Sequence, residues 1–231
     1  MQISLGWKQE HLDIIVVLLS FTILYLIYHY SLLLSGSRFI LKRLIRREFG
    51  SETLIGKKVS GILLLGLCPF IIGMLALKKQ PDELGLFLSI NKLYLIPAFI
   101  ICALMFPVLL KGSKTLKGSR RIYLEHSKFR ANLILWIPYI IAYEFCLRGF
   151  LLFPLERAIG SWPAIATVTA IYTAIHLHRE RGEAAGSLIM GLIFGFFALS
   201  TRSIIIPVIV HLYIAISTKL LMQKKKRGKE K

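Results

Sequence analysis

The chain alternates between long apolar runs and short polar connections that are mostly basic. Seven apolar runs can be drawn, with approximate bounds 14–34, 60–77, 93–110, 131–150, 162–178, 184–200 and 203–222. Polar residues do not recur within these runs at the spacing that gives a helix a water-facing side. Runs of roughly 17 to 25 apolar residues are long enough to cross a bilayer as helices. The pattern predicts an all-α fold, a polytopic membrane helical bundle with about seven transmembrane helices.

The order of the runs divides the chain into three predicted parts. Residues 1–130 form an amino-terminal scaffold of three helices, residues 131–222 form a core of four helices, and residues 223–231 form a basic tail. The first run is too long for the apolar core of a signal peptide, and no small-residue cleavage site follows it. We therefore expect the first helix to be retained.

Basic residues are concentrated in alternate connections. Of the 30 Lys and Arg residues, 23 fall in the segments 38–58, 111–130, 179–182 and 219–231. Seven crossings place these segments on one side of the membrane, and the positive-inside rule makes that side cytoplasmic. The carboxyl terminus is then cytoplasmic and the amino terminus extracytoplasmic. The same clustering explains the net charge of +18 without nucleic acid, which selects basic residues on a folded surface.

Composition supports a membrane location and adds no disulfide or metal motif. Hydrophobic residues make up 55% of the chain, against roughly 45–50% in soluble domains, and the mean hydropathy is +0.65. The three cysteines, Cys68, Cys102 and Cys146, all lie in apolar runs. Such cysteines behave as small apolar side chains, and no Cys/His spacing typical of a zinc site is present.

One acidic residue lies inside an apolar run, and it has a basic residue four positions later. These residues are Glu144 and Arg148, in the fourth run. A spacing of four places both side chains on one face of a helix, where they can pair. Ionisable groups within membrane spans are costly and are candidates for function. A buried structural ion pair is the alternative interpretation.

Two histidines on other helices strengthen the functional interpretation. His176 closes the fifth run, and His211 lies in the middle of the seventh. A carboxylate in a low-dielectric cavity can act as a general base on water, while imidazoles orient the nucleophile or stabilise an oxyanion. Zinc held by these three side chains is possible as a cofactor, although nothing in the spacing requires it. Straight helices leave Glu144 and His176 at different depths, so convergence requires a kink at Pro138 or a deeper start of the fourth helix.

The order of these motifs resembles the CPBP family, which comprises type II CAAX prenyl endopeptidases and bacterial CAAX-protease and bacteriocin-processing proteins. The resemblance rests on Glu144-x-x-x-Arg148-Gly, then an aromatic residue at Tyr172 with His176 four positions later, then His211 in the last span. It covers about residues 131–222. The resemblance implies an intramembrane glutamic peptidase in which Glu144 activates water. His176 and His211 would then position the water and stabilise the transition state.

Two positions depart from the family pattern. The family usually shows Glu-Glu-x-x-x-Arg, with the first Glu taken as catalytic, but that position here is Tyr143. The last motif is usually His-x-x-x-Asn, and Ala215 replaces the Asn. Glu183 is a second candidate carboxylate, and its alternative interpretation is a favourable charge at a helix start. The chain is therefore either an active branch with a single Glu or a member that has lost catalysis.

The favoured function is an endopeptidase that cleaves a membrane-anchored protein or peptide, near the substrate's carboxyl terminus. The partners expected are the lipid bilayer and that substrate, and nucleic acid is not expected. The second hypothesis is a non-catalytic regulator, immunity protein or scaffold of the same fold. A transporter is the third, and it is disfavoured because transporters more often show repeats and several polar residues along a pathway.

Overall fold

The computed structural model describes residues 9–34, 52–87, 92–115, 126–177 and 181–227. Parts of the predicted basic connections lie outside these residues, namely 38–51, 116–125, 179–180 and 228–231. The predicted division at residue 130 stays a prediction.

Within the described residues the chain forms seven helical rods and no strand. The helices are α1 (Gln9–Leu34), α2 (Glu52–Ile62), α3 (Cys68–Leu75), α4 (Leu95–Thr115), α5 (His126–Glu144), α6 (Phe153–Ile159), α7 (Ser161–His176), α8 (Arg181–Thr201) and α9 (Ile205–Arg227). Two π-helical segments join consecutive helices into continuous rods: Leu63–Leu67 between α2 and α3, and Phe145–Leu152 between α5 and α6. The predicted all-α membrane bundle is confirmed.

Five rods are long and apolar enough to cross a membrane. They cover His11–Tyr30, Gly56–Leu75, Lys92–Lys111, Ile134–Ile159 and Gly182–Thr201. The other two rods have shorter apolar stretches, because α7 has 16 residues and the apolar part of α9 is Ile205–Leu221.

Each π-helical segment directly precedes a helix with proline in its first turn. The two prolines are Pro69 in α3 and Pro154 in α6. Proline has no N–H, and its ring crowds the carbonyl four residues earlier. A wider π turn, with hydrogen bonds five residues apart, is compatible with the proline without ending the rod. Pro138, the predicted site of a kink, lies inside α5, which runs through it.

The helix pair α7 and α8 packs closely through glycine. A β-carbon added at Gly191 would lie 2.8 Å from Thr169 Cγ2, and one added at Gly195 would lie 3.0 Å from Ile165 Cγ2. Both contacts belong to one antiparallel register, because the position four residues later on α8 lies opposite the position four residues earlier on α7. Small residues four apart allow such close approach in membranes, so this glycine spacing serves packing.

One end of the bundle carries three ion pairs, and we call it the ion-pair end. The pairs are Asp13–Lys79 at 3.1 Å, Glu83–Arg157 at 3.0 Å and Glu156–Arg202 at 2.9 Å. Their basic members, Lys79, Arg157 and Arg202, lie outside the four segments that hold 23 of the 30 Lys and Arg residues. The structure therefore places these three basic residues at one end of the bundle.

The short apolar segment that begins at Leu84 starts inside the bundle: Leu84 and Gly85 are buried, Leu86 and Phe87 are exposed, and residues 88–91 lie outside the described residues. Leu84 is fully buried. Its side chain packs against Gly73, and its carbonyl oxygen packs against Gly149. The Ile204 N–H donates to the Gly85 carbonyl at 3.0 Å. These contacts fix the start of the segment against the bundle.

The stretch after the fourth run is buried in its first half and partly exposed in its second. Residues 150–155 are buried, whereas residues 157, 159 and 160 are exposed. The second π segment carries the rod straight into α6, and α6 packs against α1. This packing buries the apolar residues that follow the predicted fourth run.

Candidate functional site

Glu144, the last residue of α5, lies at the centre of a buried cluster of charged and aromatic side chains. Its side chain is fully buried. One carboxylate oxygen, Oε1, lies 2.5 Å from Nδ1 of His211 on α9. The other, Oε2, lies 3.1 Å from Nη1 of Arg148, which is one turn further along the same rod. Oε1 is therefore hydrogen-bonded to His211, whereas Oε2 is ion-paired with Arg148 and accepts no hydrogen bond among the described residues.

Arg148 is held in the second π segment by aromatic rings and by the carboxylate. Its guanidinium lies 4.5 Å from the centre of the Tyr172 ring and 5.3 Å from that of Phe194. The side chain is fully buried, and its guanidinium nitrogens have no hydrogen-bond partner among the described residues. Since a buried charge without a counter-ion is very costly, Glu144 and Arg148 each make the burial of the other tolerable.

The hydrogen-bond partners of the two histidines define their tautomers. Nδ1 of His176 lies 2.8 Å from the backbone carbonyl of Tyr172, one turn earlier on α7. A carbonyl only accepts, so Nδ1 carries a proton and donates it. Nδ1 of His211 faces the Glu144 carboxylate, which also only accepts when ionised. In both neutral rings, Nε2 is then the basic nitrogen.

Tyr143 lies between the two imidazoles. Its ring centre is 6.4 Å from that of His176 and 6.2 Å from that of His211, with both histidine rings nearly perpendicular to it. The hydroxyl of Tyr143 is buried and has no hydrogen-bond partner among the described residues. The residue that replaces the family's first glutamate therefore fills the space between the site histidines.

Tyrosines connect this cluster to the first half of the chain. The hydroxyls of Tyr28 on α1 and Tyr139 on α5 share a hydrogen bond of 2.7 Å, and the Tyr139 ring centre is 6.2 Å from that of Tyr143. Sequence reasoning assigned no chemistry to residues 1–130 and missed this connection. The available signal was the four-residue spacing of Tyr139 and Tyr143, which places both on one helix face.

The structure solves the depth problem posed by straight helices. Lys219 Nζ on α9 lies 3.1 Å from the centre of the Trp136 ring on α5. From this level, eight residues forward along α5 lead to Glu144 and eight residues back along α9 lead to His211, where the two side chains meet. Eight residues correspond to about 12 Å along a helix. The short helix α7 stops at His176, beside Tyr143, and does not extend to the level of Lys219. The early end of α7 therefore places His176 at the level of Glu144.

Four of the five predicted site residues meet in this cluster. Glu144, Arg148 and His211 are in direct contact, and His176 contacts the Tyr172 ring, at 4.5 Å between ring centres, and the Tyr143 ring. Glu183 lies in the first turn of α8 with an exposed side chain. The register of α7 and α8 places Glu183 at the level of the last turn of α7. Its catalytic role stays a prediction.

The cluster does not fit a zinc site. Within the described residues, no three His, Cys, Asp or Glu side chains come together so that they could hold a metal ion. Glu144 faces His211 Nδ1 and Arg148 instead, and a guanidinium beside the carboxylate opposes a second positive charge there. The chemistry available is therefore that of the carboxylate, the imidazoles and water.

The fold and the cluster define a helical membrane protein with a buried Glu–Arg–His site. Residues 127–217 match the family of type II CAAX prenyl endopeptidases described as Rce1-like, which is a protease family. This match confirms the resemblance that the sequence motifs indicate, and it contains every residue of the cluster. No curated protein matches the chain.

Proposed function

We propose that this chain is a CAAX-type intramembrane endopeptidase that hydrolyses a peptide bond near the carboxyl terminus of a membrane-anchored protein or peptide. The observation that carries the proposal is the Glu144–His211 contact, because it joins two helices at the positions that the family match covers. The ion pair with Arg148 supports an ionised carboxylate at full burial. The active protein then combines an imidazole–carboxylate pair with a second imidazole, His176.

Peptide hydrolysis requires a base for water, stabilisation of an oxyanion and a proton for the leaving amine. The site contains two imidazoles, and imidazole can both accept and return a proton near neutral pH. The aromatic side chains around them limit the access of bulk water, which strengthens electrostatic interactions within the site. These features suit a slow, selective peptidase acting on a substrate delivered within the bilayer.

The proposed orientation follows from charge. The end of the bundle near Lys58 and Lys219 faces the cytoplasm, and the ion-pair end faces outward, as the positive-inside rule favours. The site then lies about 12 Å from Lys219 towards the membrane interior. A lipid-anchored or membrane-spanning substrate would present its cytoplasmic carboxyl-terminal segment to this site.

A non-catalytic protein of the same fold is the second candidate, and one observation favours it. Tyr143 fills the space between the histidines, where the family usually has a carboxylate, and Ala215 replaces the usual Asn. Under this hypothesis Glu144 and Arg148 form a structural pair. Replacing both by apolar residues should then preserve function.

Hydrolysis by the reconstituted full chain tests the proposal. The protein is placed in vesicles containing phosphatidylglycerol, with peptides anchored either by an S-prenylated cysteine or by an apolar transmembrane segment, and products are identified by mass spectrometry. We expect cleavage by the wild type and a loss of about 10²-fold or more in Glu144→Gln and His176→Ala. His11→Ala and Glu83→Gln, at the ion-pair end, are matched controls that should cleave normally. Equal rates in all five proteins would contradict the proposal and favour the second candidate.

A further inference from the structure

The buried position of Glu144 raises the question of which group touches the attacking water. A general base must come within hydrogen-bond reach of the proton that it removes. The Glu144 side chain has no exposed surface, and its two oxygens face His211 and Arg148. The carboxylate has no surface open to water arriving from outside the protein. Among its described contacts, the one with His211 joins Glu144 to a partly exposed side chain.

His211 is the accessible member of the pair. Its side chain is 20% exposed, against 0% for Glu144. The ring stacks against Phe194, with ring centres 5.9 Å apart and an interplanar angle of 29°, and Tyr143 contacts it edge-on. These contacts hold the imidazole plane while Nδ1 donates to Glu144. Nε2, on the far side of the ring, is thereby directed away from the carboxylate.

The two histidines differ in the group that accepts a hydrogen bond from Nδ1. Nδ1 of His211 donates to a carboxylate, whereas Nδ1 of His176 donates to the neutral carbonyl of Tyr172. A carboxylate stabilises the imidazolium that forms when Nε2 takes a proton, and a neutral carbonyl does so much less. Of the two rings, His211 is therefore the one with a carboxylate at Nδ1 to balance a proton taken up at Nε2.

We propose that His211 Nε2 is the general base of this site and that Glu144 is a positioning residue that orients His211 and stabilises its protonated form. The inference rests on the proposed peptidase function and reassigns the role of Glu144 within it. Under this proposal Glu144, which matches the second glutamate of the family pattern, acts through a histidine on the last helix. The role of Tyr143 as a space-filling side chain between the histidines is compatible with this arrangement.

The proposed step balances without any further reactant. A water oxygen attacks the peptide carbonyl carbon, its proton moves to His211 Nε2, and the carbonyl π electrons move to the carbonyl oxygen. Collapse of the tetrahedral intermediate breaks the C–N bond, and the proton on His211 moves to the leaving nitrogen. The products are a carboxylic acid and an amine.

Chemical rescue tests the assignment. In the reconstituted full chain with the anchored peptide cleaved by the wild type, His211→Ala should lower kcat about 10²- to 10⁴-fold, the usual contribution of a general base. Because the deletion leaves space for a small ring, added imidazole should restore kcat at least about tenfold by the same proton transfer. His211→Gln fills that space and is the matched control, which imidazole should not restore. Thermal unfolding in detergent checks that both variants fold.

A double variant tests the positioning role of Glu144. If Glu144 acts through His211, Glu144→Gln should lower kcat with little change in KM. Adding Glu144→Gln to His211→Ala should then lower kcat little further, since the effects of residues that act as a unit are not additive. A His211→Ala protein with nearly wild-type kcat beside an inactive Glu144→Gln would overturn the inference and leave the peptidase function standing. Additive losses without imidazole rescue would overturn it as well. Absence of cleavage by the wild type would remove the proposed function and this inference together.

Discussion

Two apolar rods of this protein have very different surroundings. In the span Lys92–Lys111 only 6% of the most apolar stretch is buried inside the protein, whereas in Ile134–Ile159 the fraction is 61%. Large side chains of the first, such as Phe99, are exposed, and all residues of the second π segment are buried. Both rods are apolar enough to cross a membrane, and the exposed rod is the more apolar of the two, because a helix that faces lipid needs an apolar surface whereas a helix surrounded by protein can carry polar side chains. The chemistry lies in the rod whose neighbours are protein, where polar partners can be placed.

The largest expected effect comes from deleting the buried charge. Arg148→Ala leaves Glu144 without its counter-ion in a fully buried site, and breaking such a pair costs about 3–5 kcal/mol. Arg202→Ala is the control, because the Arg202 side chain is 63% exposed and an exposed pair contributes only about 0–1 kcal/mol. Chemical unfolding of the purified protein in detergent measures both. Equal losses would show that the interior of this rod is more hydrated than its packing indicates.

A smaller effect is expected from deleting an aromatic side chain in each environment. Phe150 is fully buried in the second π segment, and Phe99 is 74% exposed on α4. Phe150→Ala removes packing contacts and leaves a cavity, which costs about 3 kcal/mol or more in protein interiors. Phe99→Ala exchanges contact with lipid alone and should stay within about 0.5 kcal/mol, as for surface substitutions. The same unfolding measurement ranks them, and a larger loss for Phe99→Ala would mean that α4 has a protein partner on that face.

The smallest expected effect concerns a single methyl group. A β-carbon at Gly149 would lie 2.6 Å from the Leu84 carbonyl oxygen, whereas one at Gly186 meets nothing within 4 Å. Gly149→Ala should destabilise the protein by about 1–3 kcal/mol, the usual cost of overpacking. Gly186→Ala should be neutral or slightly stabilising, because Ala is the better helix former. Equal thermal stabilities of the two variants would show that the segment at Leu84 moves away without cost.

Much of the fold and part of the site are predictable from the chain itself. Membrane spans follow from the length of apolar runs, and the rod count follows because each backbone polar group in lipid must be satisfied within a helix. Glu144 and Arg148 stand out because ionisable residues in apolar runs are rare. The burial of Leu84 and the role of Tyr143 were not predictable, since both depend on residues far away in the chain.

The amino-acid sequence by itself determined the helical class, the approximate spans and the residue types available for chemistry, because these depend on local hydropathy and composition. Only the tertiary structure decided which side chains meet. It placed His211 against Glu144, stopped α7 at the level of Tyr143, and left α4 exposed while burying the second π segment. These outcomes depend on helix register and on packing between distant segments, which the apolar pattern of one segment does not encode.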